Sequence, residues 1–282
     1  MRIGRRSFIL GCGCAACLGA AEGLRRKTIG GVEIPLPPPE HPRLYLRAAH
    51  AAGLGARMKH PALQPVVKRL EEQAARSGQH RTEWAAVSCL ISRDRAHGRR
   101  VVEDCLRLLQ GCELPQRGDA CRFTGRMMVT GAMVYDWLYP LLAAEEKQAY
   151  IKELLRLAHT LECGYPPTGQ GAITSHTSEA MLMRDLMSAG IAVYDEFPEM
   201  YELAAARFFR DHLPARNWFY PGHAYHQGDS YGPYRYSWDV FPLFIFDRMG
   251  AGSVYTPDIG QVPYHFVYST RADGQQIGRA HV

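Results

Sequence analysis

Between residues 48 and 249 apolar positions recur at three- and four-residue intervals, the spacing of helices that bury one face. The pattern predicts helices at Ala48 to Met58, Leu63 to Ser77, Thr82 to Ser92, His97 to Gln110, Thr124 to Tyr139 and Ala144 to Thr160. Three more follow at Ser178 to Tyr194, Pro198 to Leu213 and Trp238 to Met249. Short connections between helices of this length imply an all-α array of antiparallel hairpins, stacked as a bundle, a solenoid or a toroid. No repeat of fixed period points to one of the common solenoids.

The pattern breaks in three places. Residues 22–40, which include IPLPPPE, read as a Pro-rich extended arm, because proline stops helix propagation and disfavours it in the residue before. Two long irregular stretches, Cys163 to His176 and Asn217 to Ser237, each precede a helix and carry most of the polar chemistry. Long loops within a compact domain often serve function.

At 282 residues and 46% apolar content the chain can fill a large core, which excludes disordered and fibrous classes. Its start alters the reading of charge and cysteine. Arg5 and Arg6 precede a short apolar stretch and small residues ending near Ala21, so residues 1–21 resemble a twin-arginine export signal. An ordinary secretory signal is the alternative, and either predicts a periplasmic or secreted protein. The apolar stretch is shorter than the roughly 20 residues a spanning helix needs, so no stable membrane insertion is expected. A lipid anchor on Cys12 or Cys17 is poorly supported by the flanking residues. Removing the signal leaves 30 basic against 28 acidic residues, a formal charge of +2 in place of +5, so affinity for a polyanion must come from local residues. Five cysteines remain, Cys89, Cys105, Cys112, Cys121 and Cys163, without CxxC spacing. An oxidising compartment allows one or two disulfides among them, and a zinc knuckle is not expected.

The motif HTSE at His176 to Glu179 and the aromatic run YHQGDSYGPYRYSW at Tyr225 to Trp238 resemble the heparinase II/III-like polysaccharide lyases. The likeness extends to HPRLYL at His41 to Leu46, YDWLYPLLAAEEKQAY at Tyr135 to Tyr150 and the helical stretch Ser178 to Phe209, and is greatest to the heparinase II branch. The resemblance implies an incomplete α/α toroid over residues 41–250, with a groove for a sugar chain. It also implies that residues 251–276 begin a connection to a C-terminal β-sandwich missing from this chain. IGRAHV, residues 277–282, is expected to be a non-native tail on a truncated fragment. The family's structural zinc and a further active-site histidine belong to the sandwich, so no cofactor is expected here. The implied partners are an acidic polysaccharide and, at full length, a second copy in a homodimer; no nucleic acid is expected.

Uronic-acid polymers are cleaved by β-elimination when a base removes the C5 proton, the C6 carboxylate is neutralised and an acid protonates the departing O4. The resemblance assigns catalysis to Tyr231, His176 and Glu179, with Tyr231 as acid and, for one epimer, also base. A tyrosine base must lose about 3 units from its ordinary pKa of ~10, roughly 4 kcal/mol, and Arg235 four residues on is the expected contributor. Arg235, Gln227, Tyr225 and His226 are expected at the substrate, within a loop whose aromatics can stack on sugar rings. Between His212 and Arg235, Arg216, His223 and His226 would add a local cationic surface. Each residue has a plainer role to set against this: Tyr231 as loop packing, His176 as a loop residue bonding backbone, Glu179 as a first-turn acid favoured by the helix dipole. A glycoside hydrolase would need a carboxylate pair, for which Glu179 and Asp229 are the nearby candidates. The His-x-x-Glu pair lacks a third ligand at diagnostic spacing, so no metal is expected there. A truncated, non-catalytic sugar-binding fragment is a further alternative. The Met-rich AMLMRDLM at Ala180 to Met187 reads as buried helix with Arg184 and Asp185 paired, and YDWLYP as a helix end packed in the core.

Overall fold

The computed structural model describes residues 24–115, 121–167, 178–225 and 228–270. The signal at 1–21, the tail at 277–282, His176, His226 and Gln227 lie outside the described residues.

The arm expected to be merely extended pairs with itself. Strands β1 (Arg26–Ile29) and β2 (Val32–Pro35) form an antiparallel hairpin through Gly30 and Gly31, whose φ angles of 56° and 82° are those glycine tolerates best. Ile34 is fully buried and Tyr201 donates its hydroxyl to the Pro35 carbonyl, so the hairpin docks on the helix carrying Tyr201.

The described chain beyond is helical. The first expected helix is split at Gly53 into α1 (Ala48–Ala52) and α2 (Leu54–Met58). Then α3 (Gln64–Arg76) turns through the extended Ser77 alone into α4 (Gly78–Ser92) and packs back along it. Arg93, at φ 58°, ends α4, and the Asp94 carboxylate accepts from the His97 amide at 2.9 Å to start α5 (Arg95–Gln110).

Helix α6 (Cys121–Trp137) is buried on nearly every side and packs against α4, α5 and α7 (Ala144–Ala158). At Gly131 a Cβ would stand 2.9 Å from a Leu109 methyl, so the missing side chain lets α5 approach. Asp136 and Trp137 hold the HPRLYL segment. Asp136 accepts from the amides of Arg43 and Leu44, each at 2.9 Å, and meets His41 Nδ1 at 2.6 Å. The Trp137 indole donates to the Leu44 carbonyl at 3.0 Å. YDWLYP is therefore core packing, as its pattern indicates.

Helix α8 starts at Ser178–Ala180, passes through a π-helical segment at Met181–Leu186 and ends in Met187–Ala192. Helix α9 runs Pro198–Arg207, a second π segment Phe208–His212, and Leu213–Phe219. Helix α10 (Gly228–Met249) starts ten residues before the expected Trp238, despite Pro233 and Pro242 within it. Gly250, at φ 87°, stops it. A final helix, α11 (Val262–Tyr268), folds back on α10 within what was expected to be a connection.

None of the disulfides an oxidising compartment would allow is present among the described residues: all five of their cysteines are free and buried. Burial pushes the Cys89 thiol up to about 11 and that of Cys105 to about 12, which keeps both unreactive. No helix among the described residues is long and apolar enough to cross a membrane.

Candidate functional site

Glu179 lies in the first turn of α8 and is completely enclosed. Its Oε1 accepts from Arg216 Nη2 at 2.8 Å, while its Oε2 is buried without a hydrogen-bond partner among the described residues. Arg216 is held by α9, whose polar residues His212 and Arg216 are four apart and share a face. Its Nε donates to Asp239 Oδ2 at 2.9 Å and its Nη2 lies 3.4 Å from the Tyr225 hydroxyl. Asp239, from α10, also accepts from the Tyr220 hydroxyl, and its Oδ1 is 3.3 Å from His212 Nε2. His212 Nδ1 is the second buried atom of this group without a partner.

Three helices thus share one guanidinium between two carboxylates. Burial pushes the Glu179 carboxyl above its ordinary range, against the pull of Arg216. Asp239 goes the other way: burial opposes its charge, but Arg216 and His212 outweigh that and hold it below its ordinary range. The two acids are therefore driven apart, Asp239 ionised and Glu179 inclined to keep a proton. A protonated Glu179 can donate from Oε2.

Tyr231 is 56% exposed in the early part of α10. Arg235, one turn on, places its guanidinium carbon 4.6 Å from the centroid of the Tyr231 ring, so the cation lies over the ring face. Arg235 itself is largely buried, with its Nε unpartnered, and also lies 5.6 Å from the Trp238 ring. The part of α10 bearing Tyr231 is seated by Gly232, where a Cβ would stand 2.7 Å from Phe266 and 3.6 Å from Tyr225 Cβ. Helix α10 also touches the Ser178–Ala180 turn. Gly232, next to Tyr231 in the chain, thus packs near Tyr225, which bonds the Arg216 that holds Glu179.

Several expected roles change. Tyr225, expected to touch substrate, is buried, bonded to Arg216 and packed edge-on against Tyr236. Arg216, expected on a cationic surface, is an interior partner of Asp239 and Glu179, with the buried His212 beside it against Asp239. Of the loop aromatics, Trp218, Tyr231 and Tyr234 are exposed, whereas Tyr220, Tyr225 and Trp238 are packed inside. Tyr220, expected among the loop aromatics that stack on sugar, is instead a buried partner of Asp239, and Asp239 was not singled out from sequence; the available signal was polar residues at helical spacing on otherwise apolar faces. His176, His226 and Gln227 lie outside the described residues, so the structure does not bear on their expected roles.

Among the described residues no three His, Cys, Asp or Glu side chains gather as a metal site. In comparisons with known proteins, no family model and no curated protein matches this chain.

Proposed function

We propose that the chain is the helical part of an exported lyase acting on uronic-acid polysaccharide, its hairpins forming part of an incomplete α/α toroid. The observation that carries this reading is an exposed tyrosine under an arginine, on the helix whose Asp239 shares Arg216 with a buried glutamate that keeps one carboxyl oxygen unbonded among the described residues. In this reading Tyr231 protonates the departing O4. Arg216 holds one oxygen of Glu179, and the other, carrying the proton that burial favours, hydrogen-bonds the substrate carboxylate as the enolate develops. The cover over Glu179 must open for that contact. His176 enters as base or donor on the strength of the sequence resemblance alone. Heparin or heparan sulfate is the first substrate to test, with alginate and hyaluronan beside it.

Elimination leaves a C4–C5 double bond that absorbs ultraviolet light, whereas hydrolysis does not. Incubation of the protein, expressed from its full gene, with each polymer is expected to raise the absorbance for at least one. Tyr231→Phe is expected to abolish that rise while oligosaccharide binding by calorimetry persists. Near-normal turnover in the variant would remove Tyr231 from the mechanism, and binding without any absorbance change in the unmodified protein would favour a sugar-binding role.

A further inference from the structure

Away from the Glu179 site, an apolar pocket of ≈ 280 Å³ lies between α1, the end of α4 and the end of α6 with the turn after it. Its volume follows from side-chain size. Ala48, Ala51 and Ala52, three and four residues apart on α1, face the pocket and are too short to fill the space before the wall of Trp137, Leu138 and Leu141. The buried Cys89 also lines it, and burial keeps that thiol neutral by pushing it up to about 11. The Trp137 indole already donates to the Leu44 carbonyl at 3.0 Å, so the wall offers the pocket no polar group. An apolar cavity of about 150 Å³ holds a benzene ring. The space therefore suits one ring, or a short acyl chain, with a polar group at the opening.

The opening is cationic. Arg93, Asp94 and Arg95 are all exposed, connect α4 to α5 and line the pocket. The Asp94 carboxylate is engaged in capping α5: it accepts from the His97 amide at 2.9 Å, and that bond holds it below its ordinary range. The two guanidinium groups form no ion pair and no hydrogen bond among the described residues. Local structure favours other residues at both positions. Arg93 holds φ 58° and ψ 22°, a left-handed conformation that glycine adopts freely at a helix end and that costs free energy for a residue with a side chain. The dipole of α4 suits the charge of Arg93 but leaves that backbone cost in place. Arg95 is the first residue of α5, where unbonded amides make a positive end that disfavours a cation.

We propose that this pocket binds a small organic carboxylate, with its apolar ring or acyl body against Trp137 and Leu138 and its carboxylate held at the opening by Arg93 and Arg95. Asp94 offsets one of the two positive charges, so a monoanion matches the opening better than the dianion of a phosphate ester. A uronic-acid polymer, hydroxylated along its length, gains little from such walls. The ligand is thus of a different class from the polysaccharide proposed above, and the pocket stands or falls independently of that reading.

The test is calorimetric titration of the protein with phenylacetate, with its neutral amide, and with acetate, which has the charge without the apolar body. Phenylacetate is expected to bind with a dissociation constant of about 1 mM or tighter, and the other two about 10-fold more weakly or worse. Arg93→Gly should keep or raise the melting temperature, because glycine adopts the left-handed conformation more readily, and Arg95→Gln should keep it. Each is expected to weaken phenylacetate by about 5-fold or more and to leave the amide unchanged. Ala51→Leu fills the pocket and should weaken acid and amide alike; if it fails to fold, the two arginine variants still decide. No saturable binding of phenylacetate, equal affinity for acid and amide, or parent-like affinity when Arg93→Gly and Arg95→Gln are combined would overturn the proposal. A dimer seen by light scattering that Ala51→Leu breaks and phenylacetate leaves intact would assign the pocket to a second copy of the chain and overturn it as well.

Discussion

Arg216 is the residue on which the interior of the site depends, because one guanidinium holds two enclosed acids, the ionised Asp239 and the Glu179 carboxyl. Arg216→Met keeps bulk but takes the guanidinium from the buried Asp239 and the hydrogen-bond donor from Glu179, and is expected to cost about 3–5 kcal/mol in chemical denaturation. His41 carries a different dependence. Both its nitrogens face carboxylate oxygens, Asp136 at 2.6 Å and Asp195 at 3.0 Å, so both must bear hydrogen, and Arg43 ties the same Asp195 at 3.1 Å. Burial works to lower the His41 pKa, but these two bonds outweigh it and leave the imidazole above its ordinary value. A raised folded-state pKa means the folded form binds the proton more tightly. The resulting stabilisation is complete below the unfolded value of about 6.5 and is lost as pH rises through the folded one. Melting temperature should therefore fall from about pH 6 to pH 8 in the parent and fall less in His41→Asn. The acid and the arginine of the candidate site differ in legibility for a physical reason. Glu179 belongs to a short motif, while Arg216 and Asp239 acquire meaning only once three helices meet.

Helix α10 shows where pattern reading reaches its limit at the element scale. Glycine and proline at 228–233 argue for a loop, since Pro233 has no amide hydrogen to donate, yet the helix continues through them. Packing decides: Gly232 lies against Phe266 and Tyr225, and an exposed Tyr231 thereby comes to sit on a regular helix rather than a loop. The same logic places the two π segments, which no periodicity of apolar residues announces. By contrast α3 to α7 lie within a few residues of their expected spans, because their apolar stripes are long and uninterrupted. The contact between α8 and α9 is close enough to test. A Cβ on Gly190 would stand 2.4 Å from the Tyr201 amide nitrogen, which is backbone and cannot rotate away. Gly190→Ala is expected to lower stability by about 1–3 kcal/mol in denaturant titration, and an unchanged midpoint would show that the helices can part without loss.

For the molecule as a whole, stability comes from one continuous core spread over the helical hairpins and from the contacts that fasten its two ends, hydrogen bonds at one and close packing at the other. The N-terminal segment is held by Asp136 and Trp137, and the C-terminal helices by Gly232 and Phe266. The described cysteines contribute as buried apolar groups, so reductant is expected to shift the melting temperature by less than about 1 °C, where loss of a disulfide would cost about 2–4 kcal/mol. Native-state alkylation followed by mass spectrometry should leave these five thiols unmodified. The all-α class was fixed by the sequence itself, because a 3.6-residue apolar period can be satisfied in few other ways and is carried by each segment independently. So was the pairing of Arg184 with Asp185, which are adjacent in the chain. Only the tertiary structure decided that Glu179 shares Arg216 with Asp239, that Tyr225 and His212 turn inward, and that α1, α4 and α6 leave an apolar pocket between them. Each of those facts depends on the rotation and separation of helices distant in sequence, which are set by side-chain packing in the assembled core.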